Sequence, residues 1–208
     1  MSRRQRRSSR PLRFEGLECR LALATFYVAA DGDDANVGTA ASPWRTLQMG
    51  ADTVQAGDTV NVRAGSYTGF DLRTDGTAAQ PIVFQAEPNV VINARNARTP
   101  DGINLEGADY VTIDGFQVVG MPRAGIRSVL NEHVTIRNNR TDQNYVWGIF
   151  TGFSDDLLIE GNVASRSATQ HGIYVSNSGD RPVIRNNVSW GNDDCGIHMN
   201  GDINMGGD

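Results

Sequence analysis

This 208-residue chain lacks several features, and each absence excludes a class of protein or of chemistry. It contains no lysine, because all 19 of its basic residues are arginine, so a basic side chain that removes a proton would have to be Arg or His. Its two cysteines, Cys19 and Cys195, lie near opposite ends of the chain, which argues against a disulfide framework. No run of about eighteen apolar residues occurs, so no membrane-spanning segment is predicted. The net charge of -5 argues against nucleic-acid binding, which requires a basic surface.

The chief feature that is present is an internal repeat. The dipeptide Gly-Ile recurs at intervals of 23, 23, 24 and 24 residues, beginning at Gly102, Gly125, Gly148, Gly172 and Gly196. A second string, Ile followed by a charged residue and then Gly or Asn, recurs at nearly the same spacing, at Ile113, Ile136, Ile159 and Ile184. A fixed period of this length is typical of repeat architectures.

The local pattern within each repeat is that of strands. Short β-branched runs, such as residues 111–113 and 134–136, alternate with a period of two and are separated by Gly, Asn and Asp. The sequence therefore predicts an all-β fold, a parallel β-helix with coils of roughly 23–24 residues. Equivalent residues of successive coils would stack about 4.8 Å apart in columns.

Two columns test this register. The residues after the repeat Ile alternate in charge, Asp114, Arg137, Glu160 and Arg185, so vertical neighbours should form ion pairs worth about 0.2 to 1 kcal/mol each. Two positions further on stand Asn139, Asn162 and Asn187, with Phe116 in the first coil. Stacked Asn residues at a bend are expected to hydrogen-bond one another and the turning backbone.

The predicted organisation is a basic segment at residues 1–24 and a β-helix at 25–208, with an N-terminal cap at 26–56 and coils at 57–208. Within the cap, a short helix is predicted because Trp44, Leu47, Ala51 and Val54 share one helical face. Such a helix covers the open apolar end of a solenoid. The last residues, 205–208, contain no comparable lid. We therefore expect the sequence to be a fragment of a longer protein.

Two stretches resemble known families. Residues 10–15, Arg-Pro-Leu-Arg-Phe-Glu, resemble the N-terminal export motif of large surface proteins of planctomycete bacteria, which implies an extracellular or cell-surface location; the alternative is a disordered basic tail. The repeats of residues 26–208 resemble the right-handed parallel β-helix superfamily that contains pectate lyases. This second resemblance implies a right-handed solenoid, but a fold does not determine a function.

One outward wall of the coils carries the candidate substrate-binding groups. Its columns contain Arg127, Phe150, Tyr174 and His198, and, just before the glycines, Trp147, His171 and Cys195. Aromatic faces suit the apolar faces of sugars, and guanidinium groups pair with uronate carboxylates. We predict that an acidic polysaccharide binds here, to Trp147, Phe150, Tyr174 and Asn200. The alternative is that the rings only stack on one another to stabilise the sheet.

Acidic residues provide the candidate metal ligands. A column of like charges, Asp109, Glu132, Asp155 and Asp180, precedes the repeat Ile residues, and the repulsion between neighbours, about 1 kcal/mol in water, must be offset by solvent, by Arg181 or by a cation. Carboxylates are the ligands that Ca²⁺ prefers. The predicted calcium ligands are Asp155, Asp180, Asp193 and Asp194. Solvated turn carboxylates are the alternative.

The resemblance to pectate lyases also implies a reaction. These enzymes remove the C5 proton of a uronate, with calcium on its carboxylate and a Lys or Arg as base. Because this chain has no Lys, the base would have to be Arg127, His198 or a residue beyond 208. Arg is a poor base at neutral pH, whereas His titrates near it. The predicted catalytic residues are His198, Asp194, His171 and Arg127.

The favoured interpretation is a secreted, monomeric polysaccharide lyase that uses calcium. A non-catalytic glycan-binding, adhesion or stalk module is the first alternative. A polygalacturonase-like hydrolase, which requires paired carboxylates, is the second. In that family a Gly-His-Gly string follows the Asp pair, whereas here His171-Gly172 precedes Asp193-Asp194. The Asp-Pro-His string of β-helix epimerases is absent.

Overall fold

The computed structural model describes residues 23–177 and 179–201. The predicted export motif and the last residues, 205–208, lie outside the described part of the chain. The described residues contain one helix and a succession of short strands, in the order β1 (Thr25–Val28), α1 (Leu47–Thr53), β2 (Thr59–Val62), β3 (Gly65–Thr68), β4 (Phe70–Leu72), β5 (Ile82–Ala86), β6 (Val90–Ala94), β7 (Ile103–Glu106), β8 (Val111–Asp114), β9 (Gln117–Val119), β10 (Ala124–Val129), β11 (Thr135–Arg137), β12 (Arg140–Asp142), β13 (Trp147–Gly152), β14 (Leu158–Glu160), β15 (Val163–Ser165), β16 (Ile173–Ser176), β17 (Val183–Arg185), β18 (Val188–Trp190) and β19 (Ile197–Asn200).

The strands form three parallel sheets, and the chain visits them in turn. Sheet 1 has the order β1-β2-β5-β8-β11-β14-β17, sheet 2 the order β3-β6-β9-β12-β15-β18, and sheet 3 the order β4-β7-β10-β13-β16-β19. From β2 onward, each coil contributes one strand to each sheet before the next coil begins, and β1 extends sheet 1 from the capping segment. This is the predicted parallel β-helix, with the Gly-Ile strings on sheet 3 and the Ile-charge strings on sheet 1.

The register of the coils agrees with the repeat. On sheet 1, Ile136 pairs with Ile113 on one side and with Ile159 on the other. The charged residues that follow therefore stack as predicted. Arg137 Nε donates to Asp114 Oδ2 at 2.8 Å, and Arg185 Nε donates to Glu160 Oε1 at 2.9 Å.

The Asn column forms the corner between sheets 1 and 2. The side-chain oxygen of Asn162 accepts from the backbone N–H of Asn139 at 2.9 Å and from its amide group at 3.1 Å. The amide group of Asn139 also donates to the carbonyl of Ile113, at 3.0 Å. Each Asn thus links adjacent coils through the backbone, as predicted, and Asn187 repeats the contact with Asn162.

The glycines of the Gly-Ile strings have a steric role that the repeat by itself does not reveal. A Cβ on Gly148 would lie 2.5 Å from the carbonyl oxygen of Gly172 in the next coil. At Gly125, the same atom would lie 2.7 Å from the carbonyl oxygen of Gly148. The strand therefore begins where successive backbones approach too closely for any side chain, which explains why glycine recurs at this position.

The N-terminal cap has a helix where one was predicted, but the helix is shorter than the prediction, because Trp44 lies before its N-cap Thr46 and Val54 is its C-cap. Helix α1 begins after Thr46, whose hydroxyl accepts from the backbone N–H of Met49, and Leu47 and Ala51 are buried against the core. Trp44 is also buried and stacks on Phe26, with ring centroids 4.6 Å apart. The helix, with seven residues, is too short to cross a membrane, and the described residues contain no segment that could do so as a helix.

A partly buried ion pair at the end of β12 should make the stability of the protein depend on pH in the acidic range. Asp142 is 5% exposed, and its carboxylate accepts from Arg166 and from Ser165. The guanidinium of Arg166 holds the pKa of Asp142 below its ordinary value. A folded-state pKa below the unfolded value contributes stability at pH values above the unfolded pKa of about 3.9, and this contribution is lost as pH falls through the folded pKa.

We therefore expect Asp142→Asn to lower the free energy of unfolding at neutral pH. The difference from the wild-type protein should shrink as the pH is lowered below about 4, because the wild-type carboxylate becomes protonated there. Urea unfolding at several pH values measures this difference. Glu132→Gln, at an exposed turn, is the matched control. If the difference in unfolding free energy between wild type and Asp142→Asn stayed constant with pH, the lowered pKa of Asp142 would be contradicted.

Candidate functional site

The outward face of sheet 3 carries the candidate site. Strand pairing places Arg127 beside Phe150, Phe150 beside Tyr174, and Tyr174 beside His198. Trp147 follows Ala124 in the neighbouring column, and the backbone N–H of Gly172 donates to the carbonyl of Cys195. The structure thus confirms the columns on which the site prediction was based.

Five rings on this face contact one another, and we refer to Trp147, Phe150, His171, Tyr174 and His198 as the ring cluster. Trp147 stacks on Phe150 with ring centroids 4.4 Å apart. Phe150 and Tyr174 meet edge to face at 5.6 Å, so they interact as expected but do not stack in parallel. The ring cluster runs over three coils and remains partly exposed, apart from buried His171.

The indole of Trp147 is held in place by a polar contact. Its Nε1–H donates to Gln170 Oε1 at 2.7 Å. Because this hydrogen bond satisfies the only polar atom of the side chain, the ring faces are left for apolar contacts. One face stacks on Phe150.

Two histidines lie at the C-terminal end of the ring cluster. The imidazoles of His171 and His198 are nearly parallel, at 7°, with centroids 4.6 Å apart. His171 Nδ1 lies 3.6 Å from Asp194 Oδ2 and has no hydrogen-bond partner in the described residues. Burial lowers the pKa of His171, against an opposing effect of Asp194. Burial therefore favours the neutral form of the His171 ring.

Cys195 completes this end of the face. Its thiol donates to Asp194 Oδ1 at 3.4 Å, and this contact raises the pKa of the thiol. Cys195 stands at the same position of the repeat as His171 and Trp147. Cys195 lies on the predicted wall, but no role was predicted for it, although the shared repeat position is visible in the sequence.

Arg127 is paired within the sheet. Its Nη1 donates to Asn104 Oδ1 at 2.8 Å and to Glu106 Oε2 at 2.9 Å. Arg73 also approaches Glu106, at 3.5 Å. The guanidinium is therefore directed toward the preceding coil, away from the ring cluster.

The predicted calcium ligands lie at opposite ends of the strands of sheet 3. Asp155 and Asp180 follow strands β13 and β16, whereas Asp193 and Asp194 precede β19. Asp155 Oδ1 accepts from the backbone N–H of Asp180 at 2.7 Å. Asn200, at the end of β19, lines an open groove with Asp180.

Hydrogen bonds from backbone N–H groups explain how part of the acidic column is stabilised against the repulsion between its carboxylates. In the preceding coils, Asp109 Oδ1 accepts from the backbone N–H of Glu132 at 2.7 Å, in the same way that Asp155 accepts from Asp180. Each such carboxylate thereby offsets part of the repulsion from its neighbour. Asp156 is paired with Arg181.

Comparison with known proteins places this architecture in a family. A family model described as "Pel9A-like, right handed beta helix region" matches residues 26–166, which is more than half of the chain. The match ends before His171, Asp194, Cys195 and His198.

Two curated proteins are similar in sequence. The uncharacterized protein YwoF of Bacillus subtilis (strain 168) is 30% identical over 164 residues, covering 77% of this chain and 27% of YwoF. Pectate lyase PEL9 of Emericella nidulans is 25% identical over 207 residues, covering 85% of this chain and 49% of PEL9. The chain thus spans half or less of the length of these relatives.

Solved structures share the fold. Pectate lyase Pel9A superposes with a TM-score of 0.68 at 18% identity, covering 85% of this chain and 50% of that protein. An alginate lyase from Paenibacillus sp. str. FPU-7 superposes with a TM-score of 0.58 at 19% identity, covering 85% of this chain and 58% of that protein. With the strand order, the register and the match over residues 26–166, these findings show that the chain belongs to the Pel9A-like right-handed parallel β-helix family.

Proposed function

We propose that this chain binds an acidic polysaccharide along the ring-bearing face of sheet 3 and cleaves it by β-elimination, as part of a protein that acts outside the cell. The observation that carries the proposal is the ring cluster, which places partly exposed aromatic faces next to an accessible imidazole. A sequence relative and a structural neighbour are named pectate lyases, and a second structural neighbour is named an alginate lyase, so by their names these proteins act on polyuronates.

Sugar binding follows from the shape of the face. Trp147 and Phe150 lie on β13 and Tyr174 lies on β16 of the next coil, and all three are partly exposed, so their rings form a continuous apolar strip. The less polar faces of pyranose rings pack on such surfaces. Asn200 lies on β19 two residues beyond His198 and offers an amide group to sugar hydroxyls.

His198 is the proposed base. Its outward position opposite Tyr174, and its parallel contact with buried His171, orient the imidazole on the accessible face. Arg127 is a weaker choice, because Glu106 and Asn104 engage its guanidinium. His171 is too buried to reach a polymer directly, and we propose that it and Asp194 position His198.

The reaction requires one proton transfer and one bond cleavage. A neutral nitrogen of His198 takes the C5 proton of a uronate, and the electron pair left behind forms the C4–C5 double bond. The C4–O4 bond breaks at the same time or next, and the leaving sugar keeps O4, which is protonated by water. The products are an unsaturated uronate and a shortened chain.

Calcium remains part of the proposal, with Asp193 and Asp194 as ligands. These adjacent, exposed carboxylates are hard oxygen donors of the type that Ca²⁺ prefers. They supply fewer oxygens than the ion takes, so the rest would come from substrate carboxylates and water. A bound ion would supply positive charge next to the uronate carboxylate. Asp155 and Asp180 fit this role less well, because their side chains engage the backbone and Arg181.

The test is substitution of His198 in the presence of polygalacturonate or alginate. His198→Ala should lower the rate of unsaturated product formation, followed by its ultraviolet absorbance, by at least about 100-fold, the scale of a lost general base. His133→Ala is the matched control, because His133 stacks on Tyr110 at a corner of the solenoid and should not affect turnover. Thermal unfolding of both variants separates loss of activity from loss of fold.

Two other results would change the proposal. Full activity in His198→Ala would remove this residue from the site. If the unsubstituted protein forms no product but binds polyuronate, and Trp147→Ala weakens that binding, the ring cluster would instead belong to a non-catalytic glycan-binding module.

A further inference from the structure

The imidazoles and the thiol at the end of the ring cluster form a group of soft ligands. One ring nitrogen of His171, the Sγ of Cys195 and one ring nitrogen of His198 all lie within 4.8 Å of one another. In the described part of the chain, no other group of three or more His, Cys, Asp or Glu side chains converges in this way. We propose that His171, Cys195 and His198 form a binding site for a zinc ion.

An unsatisfied buried atom supports this proposal independently. His171 is 8% exposed, and its Nδ1 is buried without a hydrogen-bond partner in the described residues. Its nearest acidic oxygen, Asp194 Oδ2, is 3.6 Å away, too far for a hydrogen bond. A buried polar atom without a partner is costly, and a metal ion at this position would satisfy it.

The backbone holds the three ligands on two consecutive coils. Cys195 lies in the coil after β16 and next to the start of that strand, because its carbonyl accepts from the backbone N–H of Gly172. His198 lies one position inside β19, opposite Tyr174. The two imidazoles are already parallel, with centroids 4.6 Å apart. Ligands whose backbone is held in this way lose little backbone freedom when they bind an ion.

The ligand types select the ion. Two imidazole nitrogens and one thiolate are typical of zinc, which also accepts a fourth ligand such as a carboxylate or water. Asp194 is available for that position, since its Oδ2 faces His171 and its Oδ1 accepts from the thiol of Cys195. Calcium prefers six to eight oxygens and would not be selected by this set.

Binding requires a small closure of the ligands. Tetrahedral zinc with Zn–N distances of 2.0–2.1 Å places two ligand nitrogens about 3.3 Å apart. The ligand atoms therefore need to approach one another by up to about 1.5 Å. Rotation of the exposed Cys195 side chain and of partly exposed His198 can supply this movement, while buried His171 stays in place.

The test uses Co²⁺ and Zn²⁺ alone, added to the purified chain without polysaccharide. Co²⁺ bound by a thiolate should give a sulfur-to-metal charge-transfer band, which Zn²⁺ should abolish at one ion per chain. Cys195→Ser should remove the band. His198→Asn and His171→Asn should each weaken Zn²⁺ binding by at least about 10- to 100-fold, the loss that outer-sphere partners alone produce.

The controls separate this site from other ligands of the chain. Cys19→Ser and His133→Ala should leave the band and the Zn²⁺ affinity unchanged, and excess Ca²⁺ should not compete. Should His171→Asn fail to fold, the exposed Cys195→Ser variant still decides the result. Absence of the band, or a band that persists in Cys195→Ser, would overturn the proposal.

The zinc site shares His198, His171 and Asp194 with the proposed cleavage site, but the test of the zinc site does not require cleavage. Its test detects an ion by spectroscopy, so a protein without lyase activity would still give the expected result. If both proposals hold, Zn²⁺ should inhibit product formation, because the ion would occupy a nitrogen that His198 needs as a base.

Discussion

Replacing Gly148 by Ala should lower the free energy of unfolding by about 3 kcal/mol or more, at the upper end of the effects of overpacking. The added Cβ would lie 2.5 Å from the carbonyl oxygen of Gly172 and 2.6 Å from Thr141 Oγ1. A backbone carbonyl between two paired strands cannot move aside without disturbing the register of the next coil. Urea unfolding followed by circular dichroism measures the loss.

Gly196→Ala is the matched control for this prediction. Gly196 occupies the same position of the repeat, but a Cβ added there would lie 3.3 Å or more from its nearest neighbours, all of them atoms of Ser189. We expect a destabilisation well below that of Gly148→Ala. Similar losses in the two variants would mean that glycine is needed for backbone conformation and not for the close approach of the coils.

Replacing Ile136 by Ala should lower the free energy of unfolding by about 2 to 5 kcal/mol, because the substitution leaves a cavity in the core. Ile136 is completely buried and pairs with Ile113 and Ile159 in the adjacent coils. Equilibrium unfolding in urea measures the difference.

Arg137→Ala, at the next position of the same strand, should cost less than about 1 kcal/mol. Its side chain is 46% exposed, and Asp114 keeps a hydrogen bond from the side-chain amide of Asn138 after the guanidinium is removed. The contrast between adjacent residues tests the assigned register directly. Equal losses at the two positions would show that the inward and outward faces of β11 are assigned wrongly.

Most of the fold was predictable because the repeat shows which residues occupy the same position in successive coils. Once Ile113, Ile136 and Ile159 are known to be equivalent, their neighbours are assigned to the inward or outward face by the period of two in a strand. The charge pairs of sheet 1 and the Asn corner then follow without knowledge of any side-chain conformation. The helix of the cap was predictable from its apolar spacing.

The site was predictable only in part, because the repeat position of a residue does not specify the direction of its side chain. The ring cluster was expected from its columns. The pairing of Arg127 with Glu106 was not, since the two residues lie on different coils and at different repeat positions. The backbone hydrogen bonds of Asp109 and Asp155 were missed for a similar reason. Turn carboxylates look alike in a sequence whether they face solvent or a neighbouring N–H group.

The sequence by itself determined the coil length, the inward and outward positions along the strands and the columns of stacked residues, because a strict repeat aligns the equivalent Ile residues of successive coils. Only the tertiary structure decided how residues of different columns meet. The close approach of the backbones at Gly148 and the convergence of His171, Cys195 and His198 depend on side-chain direction and on the angle of each corner. Those quantities are determined by packing in three dimensions, which no single repeat encodes.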